Sequence, residues 1–219
     1  MKTHTIVSMP FAENTYVLWL DGRADCVVID PGLEPELILQ FLADNQLRPA
    51  AILNTHGHAD HIAGNEALKQ AYPEAPLVIG AGDEPLLTDT FANISAPFGF
   101  SIVSPPADRL VREGNRLEFA GLSLDVLDIP GHSPGHIVYV LAGHPTRVFG
   151  GDVLFHGSVG RTDLPGGDLD LLIHGIRKKL LVLPEETEVY PGHGEPTTIG
   201  AEKRHNPYVG LRKNVGQVF

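Results

Sequence analysis

Thr55-His56-Gly57-His58-Ala59-Asp60-His61 packs three histidines and an aspartate into a few positions, directly after the apolar run Ala50 to Asn54. His56 and His58 lie two apart, so in an extended loop a turn at Gly57 lets their rings converge. Asp60 and His61 fall where a new helix begins. Neutral imidazole is the commonest protein ligand for zinc, and carboxylate oxygen is acceptable to the same ion. A chance surface cluster of histidines has no reason to follow a buried strand in mid-chain, so metal binding is the reading this segment supports.

Three other segments share that context. Ile129-Pro130-Gly131-His132-Ser133-Pro134-Gly135-His136 sets His132 on a Pro-Gly turn after a strand. Phe149-Gly150-Gly151-Asp152 sets a carboxylate after an apolar run, and Tyr190-Pro191-Gly192-His193-Gly194 sets His193 after the last strand. Each places a metal-binding side chain beside glycine at a strand end, and loops at one sheet edge are where converging ligands are expected.

The intervening sequence alternates strand and helix patterns. Asn14 to Leu20 and Asp25 to Ile29 are rich in β-branched and aromatic residues, and Asp21-Gly22 between them signals a hairpin. Glu34 to Leu47 carries Leu37, Ile38, Phe41 and Leu42 at helical spacing, and Gly64 to Tyr72 reads as a helix ended by Pro73. Pro76 to Ile79 is a further strand. In the second half, Arg116 to Ala120 and Leu122 to Ile129 pair across Gly121, Ile137 to Leu141 and Arg147 to Phe149 are strands, Asp168 to Leu183 is an amphipathic helix, and Glu188 to Tyr190 is a last strand. Residues 89–108 are aperiodic, with prolines and phenylalanines, and read equally well as a plain surface loop or a substrate-covering one. Two β-rich halves with helices suggest an α/β architecture of two sheets packed face to face. No low-complexity linker divides them, so a single domain over 1–219 is expected.

Composition excludes several classes. With 42% hydrophobic and 20% charged residues the chain has a globular balance. A net charge of -11 without a basic stripe argues against nucleic acid, and the short run Arg177-Lys178-Lys179 reads as a solvated helix face. No apolar stretch reaches membrane-spanning length and none at the N-terminus suits a signal peptide, so no membrane association and a cytoplasmic location are expected. The single cysteine, Cys26, sits in the apolar run Cys26-Val27-Val28-Ile29 and reads as a buried strand residue rather than a nucleophile.

Taken in order, His-x-His-x-Asp-His, Gly-His, Gly-Asp and Gly-His resemble the metallo-β-lactamase superfamily from about residue 14 to the C-terminus. That resemblance implies an αββα sandwich of two mixed β-sheets with helices on both outer faces and two divalent metal ions at its edge. By position, His56, His58 and His132 would hold one ion and Asp60, His61 and His193 the other, with Asp152 bridging. Zinc is the first expectation, though iron and manganese accept the same donors. Such ions acidify a shared water toward neutral pH, and Asp60 could both ligate and orient it as a catalytic residue. A thiolate leaving group, whose thiol has a pKa near 8.5, makes a dedicated general acid less necessary.

His61 and Asp152 separate the chain from most β-lactamase branches. Gly150 to Phe155 together with Gly160-Arg161-Thr162-Asp163 is similar to the glyoxalase II and persulfide dioxygenase branches, and Pro191 to Gly200 is similar to short bacterial glyoxalase II-like proteins. The implied activity is a metal-dependent hydrolysis of a small-molecule thioester, S-lactoylglutathione or a relative. Alternatives are a mononuclear iron persulfide dioxygenase, a lactonase of the same fold, and a purely structural metal site. Longer glyoxalase II enzymes carry a C-terminal helical domain that helps hold glutathione, and residues 194–219 are too few for one. Arg161 matches in position a basic residue that contacts glutathione there, and is the candidate substrate-binding residue; an ion pair with Asp163 is the equally weighted alternative. His136 is expected to support or pack, His156 to sit at the site mouth or in solvent, and His4, His144, His174 and His205 to have no role.

Overall fold

In the strand Asp25–Ile29, Val27 and Ile29 pack into one apolar cluster while Cys26 and Val28 pack into another, and all four are fully buried. Successive side chains point to opposite faces, so a strand apolar at every position must be covered on both sides. This requirement organises the molecule. The computed structural model describes residues 1–210; residues 211–219 of the expected domain lie outside the described residues.

The first sheet runs in chain order: β1 (Lys2–Ser8), β2 (Glu13–Trp19), β3 (Asp25–Ile29), β4 (Arg48–Leu53), β5 (Leu77–Gly80) and β6 (Arg109–Val111). β1 to β3 pair antiparallel and β3 to β6 pair parallel. The second sheet contains β7 (Arg116–Phe119), β8 (Leu122–Asp128), β9 (Ile137–Leu141) and β10 (Arg147–Gly151). After the two-stranded ribbon of β11 (Leu154–Phe155) and β12 (Ser158–Val159), β13 (Glu188–Pro191) and β14 (Thr197–Thr198) complete it, in the spatial order β14-β13-β10-β9-β8-β7. β10 and β13 are parallel and the other pairs antiparallel, so both sheets are mixed.

Tyr16, Leu18, Ile29, Leu53 and Val78 from the first sheet meet Leu124, Val126, Tyr139 and Phe149 from the second in one buried cluster. Truncating one of its aromatics to alanine would cost about 3–5 kcal/mol. Helices α1 (Pro35–Asp44) and α3 (Asn65–Ala71) cover the outer face of the first sheet through Ile38, Leu42 and Leu68. Helices α4 (Leu169–Gly175) and α5 (Ile199–His205), with a π-helical turn at Ile176–Leu180, cover the second through Leu172, Ile176, Leu180 and Ile199. The expected αββα sandwich is what forms. No helix among the described residues is long and apolar enough to cross a membrane.

The local expectations differ from the structure in identifiable ways. The turn at Ala120-Gly121 has both residues at positive φ, which matches the twist of a two-residue hairpin. The first helix stops at Asp44 because Gln46 turns left-handed, short of the expected Leu47. The expected continuous helix over Asp168 to Leu183 begins with Asp168 capping Leu171 N, then widens at Ile176, where Leu181 N reaches back five residues to the Ile176 carbonyl. β1 and α5 have no counterpart in the sequence reading. β1 is an edge strand with mostly exposed side chains, so its apolar alternation is weak.

Candidate metal centre

β8 and β10 are each antiparallel to β9, and β13 is parallel to β10, so β8, β10 and β13 all end at one edge of the second sheet. His132, Asp152 and His193 follow those three ends. The loop after β4 in the first sheet brings His56, His58, Asp60 and His61 to the same place, with α2 (Ala59–Ile62) carrying the last two. All seven residues expected from sequence therefore meet.

They form two clusters. In the first, nitrogen atoms of His56, His58 and His132 lie within 4.8 Å of one another. His132 Nδ1 donates to the Arg161 carbonyl at 2.8 Å, which leaves its Nε2 as a lone pair 2.8 Å from His58 Nδ1. Thr55 Oγ1 donates to Asp30 and so accepts from His56 Nδ1 at 3.1 Å, and His56 Nε2 is buried with no hydrogen-bond partner. Burial and the neighbouring rings push His56 and His58 well below the ordinary imidazole range, so both are neutral. His58 Nε2 is likewise buried without a partner, and three ring nitrogens crowd one buried point, an arrangement that a divalent cation satisfies.

The second cluster joins Asp60, His61 and His193. His61 Nδ1 lies 3.2 Å from Asp30 Oδ2 and His193 Nδ1 3.1 Å from the Phe11 carbonyl, which directs both Nε2 atoms inward, 3.3 Å apart. Burial opposes a charge on His61, but Asp60, Asp152 and Asp30 outweigh it and hold its pKa well above the usual value. Burial likewise opposes ionised Asp60, yet His61 and His193 hold its carboxyl below the usual range. A proton on His61 therefore competes with a cation for this cluster. The first cluster is three nitrogens and the second adds a carboxylate, so their charge differs.

Asp152 lies between them. Its Oδ1 is 3.5 Å from His61 Nε2, and its Oδ2 is 3.5 Å from His132 Nε2 and 3.6 Å from His193 Nε2. Gly192 makes this approach possible, because a Cβ there would collide with Asp152 Oδ1 and with the His61 ring. His136 supports Asp152: its Nε2 accepts from the Asp152 backbone N–H at 3.1 Å while its ring stacks on His56 at 4.6 Å. The supporting role expected for His136 is the one it has.

Two supporting acids escaped the sequence reading. Asp30, after β3, accepts from Thr55 N and Thr55 Oγ1, both at 2.7 Å, and contacts His61. It holds a left-handed conformation at φ 50°, which costs of order 1–3 kcal/mol and persists only because these contacts determine it. Asp83, after β5 and wholly buried, accepts from Gly57 N at 2.9 Å, Ser133 Oγ at 2.6 Å and Gly135 N. It therefore ties the loop of His56 and His58 to the loop of His132. Both acids follow an apolar strand and adjoin glycine within a residue or two, the same signal that marked Asp152.

A cleft of about 400 Å³ opens onto the centre, lined by His58, Asp60, His132, Asp152 and His193. The segment 89–108 contributes Ile94, Ser95, Phe98, Phe100 and Ile102, so it is a wall of the cleft rather than a remote loop. Arg161 also lines it, and forms a two-point ion pair with Asp163 at 2.7 and 2.8 Å. His156 is exposed and absent from the lining, and His4, His144, His174 and His205 lie outside both clusters. Cys26 is buried, its thiol pushed up to about 12 by burial.

Comparison with known proteins agrees with this geometry. The metallo-beta-lactamase superfamily model matches residues 9–193. The hydroxyacylglutathione hydrolase GloC of Haemophilus influenzae is 36% identical over 213 residues, covering 95% of this chain and 98% of the relative. The crystal structure of the BLEG-1 B3 metallo-beta-lactamase superposes with a TM-score of 0.91 at 39% identity, covering 95% of this chain and 99% of that one. TTHA1623 in a di-iron-bound form gives 0.83 at 41% identity, covering 94% and 99%. A sandwich whose strand ends gather histidines and aspartates fit for divalent metal, matched along most of its length, places this chain in the metallo-β-lactamase superfamily of metal-dependent hydrolases.

Proposed function

We propose that this chain hydrolyses glutathione thioesters, with S-lactoylglutathione as the reference substrate, at a centre holding two divalent metal ions. His56, His58 and His132 would hold one ion and Asp60, His61 and His193 the other, with Asp152 between; zinc is the first expectation and iron fits the same donors. The observation that carries this reading is the Asp152 carboxylate, 3.5 Å from a ring of each cluster, at the floor of a single open cleft. Similarity to a hydroxyacylglutathione hydrolase supports the thioester assignment.

Bound there, divalent ions supply Lewis acidity toward a carbonyl and a nucleophilic water at neutral pH. The protein supplies the rest. Asp60 lines the cleft with an ionised carboxylate that can accept a hydrogen bond from that water and orient it. The Arg161 and Phe11 carbonyls fix the tautomers of His132 and His193. A thiolate leaving group, whose thiol has a pKa near 8.5, leaves without a dedicated acid. Arg161 spends Nε and Nη2 on Asp163, which leaves Nη1 for a substrate carboxylate at the rim.

The test is a panel of S-lactoylglutathione, a lactone, a cephalosporin and glutathione persulfide with oxygen uptake, assayed on zinc- and iron-loaded protein. Turnover of the thioester with two ions per chain is expected. Arg161→Ala should raise KM for S-lactoylglutathione up to about fivefold at nearly constant kcat, since an exposed contact is worth under about 1 kcal/mol. Oxygen uptake without thioesterase activity, or saturation at one ion, overturns the reading.

A further inference from the structure

The cleft wall nearest the 89–108 segment is apolar. Phe11 meets Phe98 and Phe100 edge-on, with ring centroids 5.6 and 6.3 Å apart, and Ile94, Ile102 and Leu164 extend that surface. Phe98 and Phe100 remain 53% and 42% exposed. Scattered exposed apolar residues are ordinary, but a contiguous aromatic set bordering a metal-site cleft marks a surface that something covers.

The serine hydroxyls of this wall already have partners. Ser95 Oγ donates to the Thr90 carbonyl and accepts from Ile102 N, each at 3.3 Å. Ser158 Oγ donates to the Val159 carbonyl at 3.4 Å. Arg161, at the rim, gives Nε and Nη2 to Asp163, and its remaining Nη1 is the donor assigned above to a substrate carboxylate. A hydroxyl laid against Phe11, Ile94, Phe98 and Phe100 would lose water and find no polar group on those side chains, whereas a hydrocarbon would lose only water it is better without. A lactoyl group carries such a hydroxyl and offers little surface to the rings.

We infer that this wall receives the acyl group of the substrate, and that the preferred acyl group is apolar: a medium-length aliphatic or an aromatic acyl thioester. The inference rests on the thioesterase reading for the position of the scissile bond. It adds a specificity determinant, the set of Phe11, Ile94, Phe98 and Phe100. Recognition by this set should scale with hydrocarbon surface, not with hydrogen-bonding groups on the acyl chain.

The experiment has a turnover arm and a binding arm on metal-loaded full-length protein. Glutathione thioesters bearing lactoyl, acetyl, butyryl, hexanoyl and benzoyl groups are compared for kcat/KM. The thioethers S-methyl-, S-butyl- and S-hexylglutathione, which cannot be hydrolysed, are titrated by calorimetry. The expected result is about a two- to fourfold gain per methylene in both arms, with hexanoyl and benzoyl exceeding lactoyl. Phe98→Ser and Phe100→Ser, at exposed positions, should flatten both slopes while metal content stays constant. A thioether slope that these variants flatten, with no thioester turned over, supports the apolar wall and sinks the thioesterase reading instead. Thioester turnover with lactoyl preferred, or any result in which affinity is independent of chain length, overturns the inference.

Discussion

Asp83→Asn keeps the side-chain shape and removes the charge. The carboxylate now accepts three hydrogen bonds, two at Oδ2 from Gly57 N and Ser133 Oγ and one at Oδ1 from Gly135 N. An asparagine with its oxygen in the Oδ2 position keeps two of these and sets its NH₂ against the Gly135 N–H. One charge-assisted bond is then lost, about 1.5–3 kcal/mol, and a buried donor is left facing another, about 1–3 kcal/mol more. Burial raises the Asp83 pKa, so losing the charge recovers part of that cost. A net loss of about 2–4 kcal/mol in folding stability is expected, read by urea denaturation. The distinguishing effect is on metal. Because Gly57 lies between His56 and His58, and Ser133 follows His132, loosening both loops should weaken the three-histidine cluster about 10- to 100-fold. The other cluster is held by Asp30 and Phe11, which Asp83 does not touch. Competitive chelation is measured in a His193→Ala background, which isolates the first cluster, and in a His132→Ala background, which isolates the second. Equal weakening in both backgrounds, or lost stability with unchanged affinity in both, would refute the tie between Asp83 and the first cluster.

Asp152→Ala removes the carboxylate shared by the two clusters, so purified protein should retain at most one ion per chain and lose activity; elemental analysis after dialysis showing two ions would contradict the bridging assignment. Metal must displace a proton from His61, whose pKa is held up, but not from His56 or His58, whose pKa values are pressed down. Affinity at the Asp60, His61 and His193 cluster should therefore fall as pH drops from about 8 to about 6, and more steeply than at the first cluster; parallel pH profiles in the single-cluster backgrounds would count against this. Cys26, with its thiol pushed up to about 12 by burial between β2 and β4, should resist a thiol reagent at neutral pH and react only after unfolding; rapid labelling of native protein would show that the outer face of the first sheet is not packed as described.

Much of the centre was legible because its parts are local. His56, His58, Asp60 and His61 occupy one short loop, so their grouping needs no knowledge of the fold. His132, Asp152 and His193 carried the same mark, a polar residue beside glycine where an apolar strand stops. The β-branched and aromatic content of β2 and β3 and the turn at Asp21-Gly22 likewise depend on neighbours in the chain, and these elements formed within a residue of where expected.

Tertiary structure decided what depends on strand order. That His61 meets His193 while His58 meets His132 depends on β13, β10 and β8 ending at one sheet edge with β9 between the last two, a pairing of segments far apart in sequence. Asp30 and Asp83 looked like ordinary acids after strands until the parallel pairing of β3, β4 and β5 aimed them at Thr55 and Gly57, and the packing of the two sheets brought Ser133 to Asp83. The segment 89–108 had no period to read, because its phenylalanines are placed by the cleft they border rather than by a regular backbone. Arg161 could equally have been a free cation, and only the folded loop showed it paired with Asp163. Residue types at strand ends fix which groups are available, through local backbone chemistry. Which of them touch is set by long-range sheet pairing, whose energy comes from burying apolar faces that say nothing of the polar groups carried to their edge.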